Sequence, residues 1–272
     1  MDDFEPADAV GHRVVHGGAR YTQPVLIDDE VEQAIEELSR IAPLHNTPAL
    51  NAIREARAAL PDVPHVAVFD TAFHATIPPE ASTYAIPRRW RDWGVRRYGF
   101  HGIAVQSVVS RLDAERIVVC HLGGGCSVTA VLNGRSVDTT MGFTPLEGIP
   151  MATRSGSVDP GALIYLLREH GLTVDGLDDA LEHESGLAAL GGLDDELGFA
   201  VYTYRIAGAV AQMAIALEGI DVLAFSGGVG ENRPDVRASI AERLHFLGYF
   251  SVEVVPAHED LVIAQAVREL LG

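Results

Sequence analysis

The sequence predicts an α/β protein with helices layered on a mixed sheet. Apolar runs of strand length alternate with amphipathic stretches of helix length, and hairpins lie among them. Two of the apolar runs end alike: Arg116 to Leu122 enters Gly123-Gly124-Gly125, and Asp221 to Ser226 enters Gly227-Gly228-Val229-Gly230. The shared layout hints at an internal duplication. It also points to phosphate, because a strand ending in glycines brings bare backbone N–H groups close to an anion. Two such units suggest a nucleotide held from two sides, whereas either one alone reads as an ordinary turn.

The elements follow in order. Residues 11–18 read as a short buried strand ending in a double glycine, and residues 28–41 as an acidic amphipathic helix. A loop is expected from Pro43 to Pro48, then a helix over 49–60 stopped by Pro61. Residues 65–70 form a strand that delivers Asp70 at its end. The basic, tryptophan-bearing stretch Arg88 to Arg97 reads as a helix or turn, 102–112 as a helix and 116–121 as a strand. Asn133-Gly134 turns a hairpin between 127–132 and 135–138. Residues 139–161 are rich in Gly, Thr, Ser and Pro, and so long a loop in a compact domain is usually functional or disordered. Helices are expected over 161–170, 199–218, 234–247 and 260–271, with a strand over 251–255.

A chain of 272 residues with 47% hydrophobic content can form one large domain or two smaller ones with a packed core. No apolar run is long enough to span a membrane. The acidic start Met1-Asp2-Asp3-Phe4-Glu5 does not read as a signal or transit peptide. Two cysteines, Cys120 and Cys126, are too few for a disulfide scaffold, and their spacing fits no common zinc motif; a reduced, cytoplasmic setting is expected. The net charge of −18 argues against nonspecific nucleic-acid binding. All 20 basic side chains are arginine, so arginine must carry any cationic work at a site.

Four residues draw attention on position alone. Arg13, inside an apolar strand, reads equally as half of a buried ion pair and as a grip on an anionic substrate. Asp70 is either an acid facing a cleft or a turn residue. His101, between Phe100 and Gly102, has no partner nearby in sequence and is more readily structural than catalytic. Arg154 lies among small residues in the long loop, suited to a charged ligand or simply solvated. His-Glu-x-x-His, Gly-x-Ser-x-Gly and Walker A patterns are all absent.

Taken together, the motifs resemble the acetokinase family of actin-like phosphotransferases. The resemblance covers almost the whole chain. It rests on Gly11 to Gly18, Val68 to His74, Arg97 to Gly102, Val137 to Gly148, Thr153 to Gly156 and Gly228 to Asn232. It implies an actin-like (ribonuclease H-like) duplicated mixed-sheet fold. The implied reaction is ATP-dependent transfer to acetate, giving acetyl phosphate and ADP, with Mg²⁺ as cofactor. Propionate or butyrate kinase-like activity is the near alternative. By resemblance, Arg13 and Arg154 clamp the carboxylate and the migrating phosphoryl, His101 stabilises the transition state and Asp70 is the catalytic acid of the site. His121, Leu122, Gly123, Gly124 and Gly125 form the β/γ-phosphate loop. Gly228, Val229, Gly230, Glu231 and Asn232 form the adenosine loop. Glu259 helps hold Mg²⁺, and Val15, Leu44, Phe100 and Pro145 line the acyl pocket. A homodimer is implied, with 199–218 as the candidate contact, and neither nucleic acid nor membrane is an expected partner.

The chain departs from the family pattern in four places. Only ten residues precede Gly11, where the family has a strand and an Asn-x-Gly-Ser-Ser-Ser-x-Lys turn, so a truncated N-terminal half is expected. The expected division is residues 1–71 plus 261–272 as remnant N-terminal domain and 72–260 as C-terminal domain. No Asp-x-Arg follows Ser185-Gly186-Leu187, Gly124 stands for the usual asparagine, and Ile103-Ala104-Val105 replaces Thr-Ser-His. A catalytically impaired remnant is therefore the competing reading of function.

Overall fold

The computed structural model describes residues 7–40 and 43–272, apart from the side chains of 43–45. Two sheets organise it. The smaller contains β1 (Val10–Val14), β2 (Val25–Leu26) and β3 (His65–Phe69) in the order β1-β3-β2. β1 runs parallel to β3, and β2 runs antiparallel to it. The larger contains β4 (Arg116–Leu122), β5 (Cys126–Leu132), β6 (Arg135–Thr139), β7 (Val222–Ser226) and β8 (Ser251–Val254), in the order β6-β5-β4-β7-β8. Its β4-β5-β6 meander is antiparallel, while β7 and β8 add in parallel beside β4.

Helices α1 (Asp29–Leu38) and α2 (Pro43–Ala59) cover one face of the small sheet through Ile35 and Ile53 against Val14, Ala67 and Phe69. Between β3 and β4 come the short α3 (Pro79–Ser82) and α4 (Arg88–Asp92), then α5 (Gly102–Val109). The β6-to-β7 crossover carries α6 (Pro160–Glu169), α7 (Val174–His183) and α8 (Glu196–Ala216). α9 (Gly227–Asn232) and α10 (Pro234–Arg243) follow β7, and α11 (Glu259–Leu271) ends the chain.

The side-chain alternation of β4 explains why its sequence is apolar throughout. Val118, Cys120 and Leu122 pack with Tyr202, Ile206 and Val210 of α8, whereas Ile117 and Val119 pack with Val105 and Val108 of α5. α5 also sends Ile103 toward Val66 and Val68 of the small sheet, where Val267 of α11 joins it. It thus sits between the sheets, and its first turn can hold a residue against both. Gly102 makes that approach possible: a Cβ there would collide with the Asp70 carbonyl oxygen.

The structure differs from expectation in several places: β1 ends at Val14 and buries only that residue, where a buried strand over 11–18 was expected, and β2 and α3 were not expected. The Pro43–Pro48 loop is helical, with Pro48 inside α2. The reason is tertiary: Asn46 Oδ1 accepts from the His16 amide and its Nδ2 donates to the His16 carbonyl, both at 3.0 Å, deep in the core. α7 was unforeseen, although the Thr173 hydroxyl caps it by accepting from the Gly176 amide at 3.0 Å. The second glycine unit is the first turn of α9 rather than an open loop.

Candidate active site

The parallel register fixes the first charges. Arg13 on β1 pairs with Val68 on β3, so Asp70, two residues on, lies on the same face. Asp70 is 1% exposed, and its Oδ2 accepts from Arg13 Nη2 at 2.7 Å and Nε at 3.2 Å. Glu259, the first residue of α11, reaches Arg13 Nη1 at 2.8 Å. Arg13 therefore is an ion-paired residue, and its side chain remains 39% exposed toward a cleft. Burial alone would lower its pKa, but Asp70 and Glu259 more than offset this and the net shift is upward. Burial pushes both carboxyls up against the opposing pull of Arg13.

His101 precedes α5 in the left-handed region, at φ 61°. A non-glycine residue pays about 1–2 kcal/mol to sit there, a strain found where a side chain must point in a set direction. Its Nδ1 meets Ser127 Oγ at 3.0 Å, and its ring lies 4.7 Å from that of His121. Nε2 faces Gly125, where a Cβ would come within 3.0 Å of it. Burial first, then the charges of His121, Arg13 and Arg154, hold His101 well below its ordinary pKa, so the ring is neutral at pH 7. In the tautomer in which Ser127 donates to Nδ1, Nε2 carries the proton and can donate it to an oxygen.

Arg154 comes from the long segment after β6. Its Nη1 donates to the Pro145 carbonyl at 3.1 Å, and its Nε lies 3.3 Å from Glu182 Oε2 on α7. Arg13, Val15, Ala49, Asp70, Phe100, His101, Gly125, Pro145 and Arg154 line one cavity of about 270 Å³. That is below the usual range for drug-sized ligands, ~300–1,000 Å³, and suits a very small substrate. Two guanidiniums, an imidazole and the Asp70 carboxylate supply its polarity, and Val15, Phe100 and Pro145 its apolar wall.

The two glycine turns lie side by side because β4 and β7 are neighbours. A Cβ on Gly123 would stand 3.9 Å from the Gly228 amide nitrogen, and one on Gly227, at φ 78°, would press on the Leu122 carbonyl at 2.7 Å. Gly124 and Gly228 face open space. Not every residue of these turns offers its side chain to a ligand. Leu122 is wholly in the core and Gly230 is buried. Glu231 Oε1 accepts from the Gly227 amide at 3.0 Å, and Asn232 Nδ2 donates to the Gly228 carbonyl at 2.9 Å, so both brace the turn. Among the expected site residues, only the Leu44 side chain lies outside the described residues.

Sequence reasoning missed Glu182, Ser127 and Ala49. Ser127 directly follows the first glycine turn, which is a signal of sorts; Glu182 and Ala49 carry none, since only packing brings their helices to the cavity. Among the described residues no group of three or more His, Cys, Asp or Glu is placed to hold a metal. Mg²⁺ nevertheless needs only one or two protein carboxylates, completed by water and phosphate. Asp70 and Glu259 fit that requirement, and Asp70 Oδ1 is buried with no hydrogen-bond partner among the described residues.

The acetokinase family profile matches residues 2–264. The acetate kinase of a Synechococcus species is 45% identical over 308 aligned positions, covering 96% of this chain and 76% of that protein. The solved acetate kinase of Porphyromonas gingivalis superposes with a TM-score of 0.92 at 35% identity, covering 100% of this chain and 80% of that one. A propionate kinase from Francisella tularensis superposes at 0.90 and 35% identity, covering 95% of this chain and 78% of that one. The chain spans 65% to 76% of the length of the first curated relatives that it matches. With its actin-like fold, this chain belongs to the acetokinase family, a family of kinases whose phosphoryl acceptor is a carboxyl group.

Proposed function

We propose that this chain transfers the γ-phosphoryl group of ATP to acetate, giving acetyl phosphate and ADP, and runs the reverse reaction. One observation carries the reading: a single small cavity gathers Arg13, His101 and Arg154 around an apolar wall. Acetate lies with its methyl against Val15, Phe100 and Pro145 and its carboxylate toward the arginines. A carboxylate oxygen attacks the γ-phosphorus as the bond to the ADP oxygen breaks, in line. Such transfer needs positioning and charge neutralisation more than covalent help. Arg13 and Arg154 counter the charge on the equatorial oxygens, and His101 donates from Nε2. The adjacent turns at His121–Gly125 and Gly228–Asn232 receive the nucleotide through backbone amides. Asp70 and Glu259 would hold Mg²⁺, which supplies charge neutralisation to the phosphates when bound.

Finer features belong to the same proposal. Residues 1–71 with 261–272 form one actin-like half and 72–260 the other, supported by the packing of Val267 on Val66 and Val68. Two copies associate through α8, whose Leu197, Tyr204 and Ile215 form an exposed apolar stripe. The cytoplasm is the proposed setting, supported by two buried free thiols.

The test is a hydroxamate assay on the 272-residue chain. Product should require acetate, ATP and Mg²⁺ together and fall at least about a hundredfold in Arg154→Ala. A folded chain that makes no acetate-dependent product overturns the reading and favours a catalytically impaired remnant.

A further inference from the structure

Arg154 lies in a segment without helix or strand of its own, so its direction depends on neighbours. The end of α7 supplies them. The Ser155 amide donates to the Leu181 carbonyl at 3.0 Å, and the Ser185 amide to the Thr153 carbonyl at 2.9 Å. Thr153 Oγ1 donates to the Glu182 carbonyl at 2.8 Å. Both sides of Arg154 are thereby tied to the last turn of α7. Of the carboxylates on that helix, Asp175, Asp178 and Asp179 face solvent, whereas the Glu182 side chain is 14% exposed and meets Arg154 Nε at 3.3 Å. Burying a carboxylate is costly unless it is paired, and Arg154 is the partner of Glu182 here.

We propose that Glu182 is a positioning residue for Arg154, a role that rests on the acyl-kinase reading above. Glu182 occupies the Nε side of the guanidinium and the Pro145 carbonyl occupies Nη1. Nη2 has no protein acceptor among the described residues and is left for substrate oxygens. The geometry separates this role from simple charge balance. A carboxylate that merely neutralised Arg154 would weaken anion binding, so removing it would lower the KM for acetate. A carboxylate that aims Arg154 lowers the barrier, so removing it lowers kcat.

The experiment compares Glu182→Ala and Glu182→Gln with the parent chain, each checked for an unchanged melting profile. In Glu182→Ala, kcat should fall about ten- to a hundredfold, the cost typical of a misplaced group, while the KM for ATP stays within about twofold. Glu182→Gln keeps the side-chain volume but not the charge, and because the 3.3 Å approach to Nε is an ion-pair contact it should lose kcat nearly as far as Glu182→Ala. Unchanged kcat in both variants, or a lowered acetate KM as the main effect, overturns the proposal. Phenylglyoxal labelling followed by mass spectrometry reads the ion pair without turnover: Arg154 should react at least about threefold faster in Glu182→Ala, with other arginines unchanged. Equal labelling rates overturn the proposal. A parent chain that labels as expected but forms no acetyl phosphate counts against the function reading and not against the positioning.

Discussion

Asp70→Asn should separate stability from activity. Two Arg13 nitrogens converge on the single oxygen Asp70 Oδ2, at 2.7 and 3.2 Å, with Asp70 fully buried. Breaking one side of a fully buried ion pair costs ~3–5 kcal/mol. Here Arg13 is partly exposed and keeps Glu259 at 2.8 Å, so solvent screening and the second carboxylate reduce the loss to ~1–2 kcal/mol. Opposing it is the desolvation of the Asp70 carboxylate, which a neutral amide does not suffer. The two nearly cancel, leaving a net change within ~1 kcal/mol, or ~2–4 °C in Tm for a chain of this size. Activity has no such compensation. Arg13 loses its main anchor and, on the proposed reading, the site loses a carboxylate for Mg²⁺, so acetyl phosphate formation should fall ~100-fold or more. Thermal melting and the hydroxamate assay on the same preparation check both. The pH dependence adds a sign. Because the folded Asp70 carboxyl titrates above its ordinary value of 3.8, the native state binds more of that proton than the unfolded chain does in the range just above 3.8. That contribution to stability therefore declines as pH rises through the window above 3.8, and Asp70→Asn should remove it. Activity within tenfold of the parent, or a Tm loss beyond ~8 °C, would refute the reasoning.

His16 and His74 are buried, and burial lowers each from 6.5 to about 4. Their stabilisation is complete above pH 6.5 and disappears as pH falls toward 4, at up to about 3 kcal/mol each; urea midpoints that stay constant from pH 7 to 4.5 would contradict this. The α8 stripe predicts a dimer in sedimentation at micromolar concentration and a monomer in Ile215→Glu, a charge placed where apolar surface should be buried. A parent chain that sediments only as monomer rejects that contact.

Much of the fold was legible because it follows from periodicity and punctuation. The β4-β5-β6 meander could be read from Asn133-Gly134 and two apolar runs, and α11 from the pattern after Pro256. Legibility failed where local signals were weak or overridden. Pro48 argued for a loop, and a buried Asn46–His16 pair made a helix. Gly176 diluted the helical pattern of α7, which hid Glu182 with it.

The sequence by itself determined which residue types this protein has available and in what local settings: arginine as its cationic side chain, two strand-to-glycine turns, an acid at a strand end and an arginine in a polar loop. It left open what Arg13, Asp70, His101 and Arg154 do, because each has an ordinary structural reading by itself. Tertiary structure decided only their placement, around one cavity. The β1–β3 register aligned Arg13 with Asp70, α5 between the sheets aimed His101 over Gly125, and α7 carried Glu182 to Arg154. Such convergence depends on contacts between residues tens to more than a hundred positions apart, and local pattern does not encode those distances.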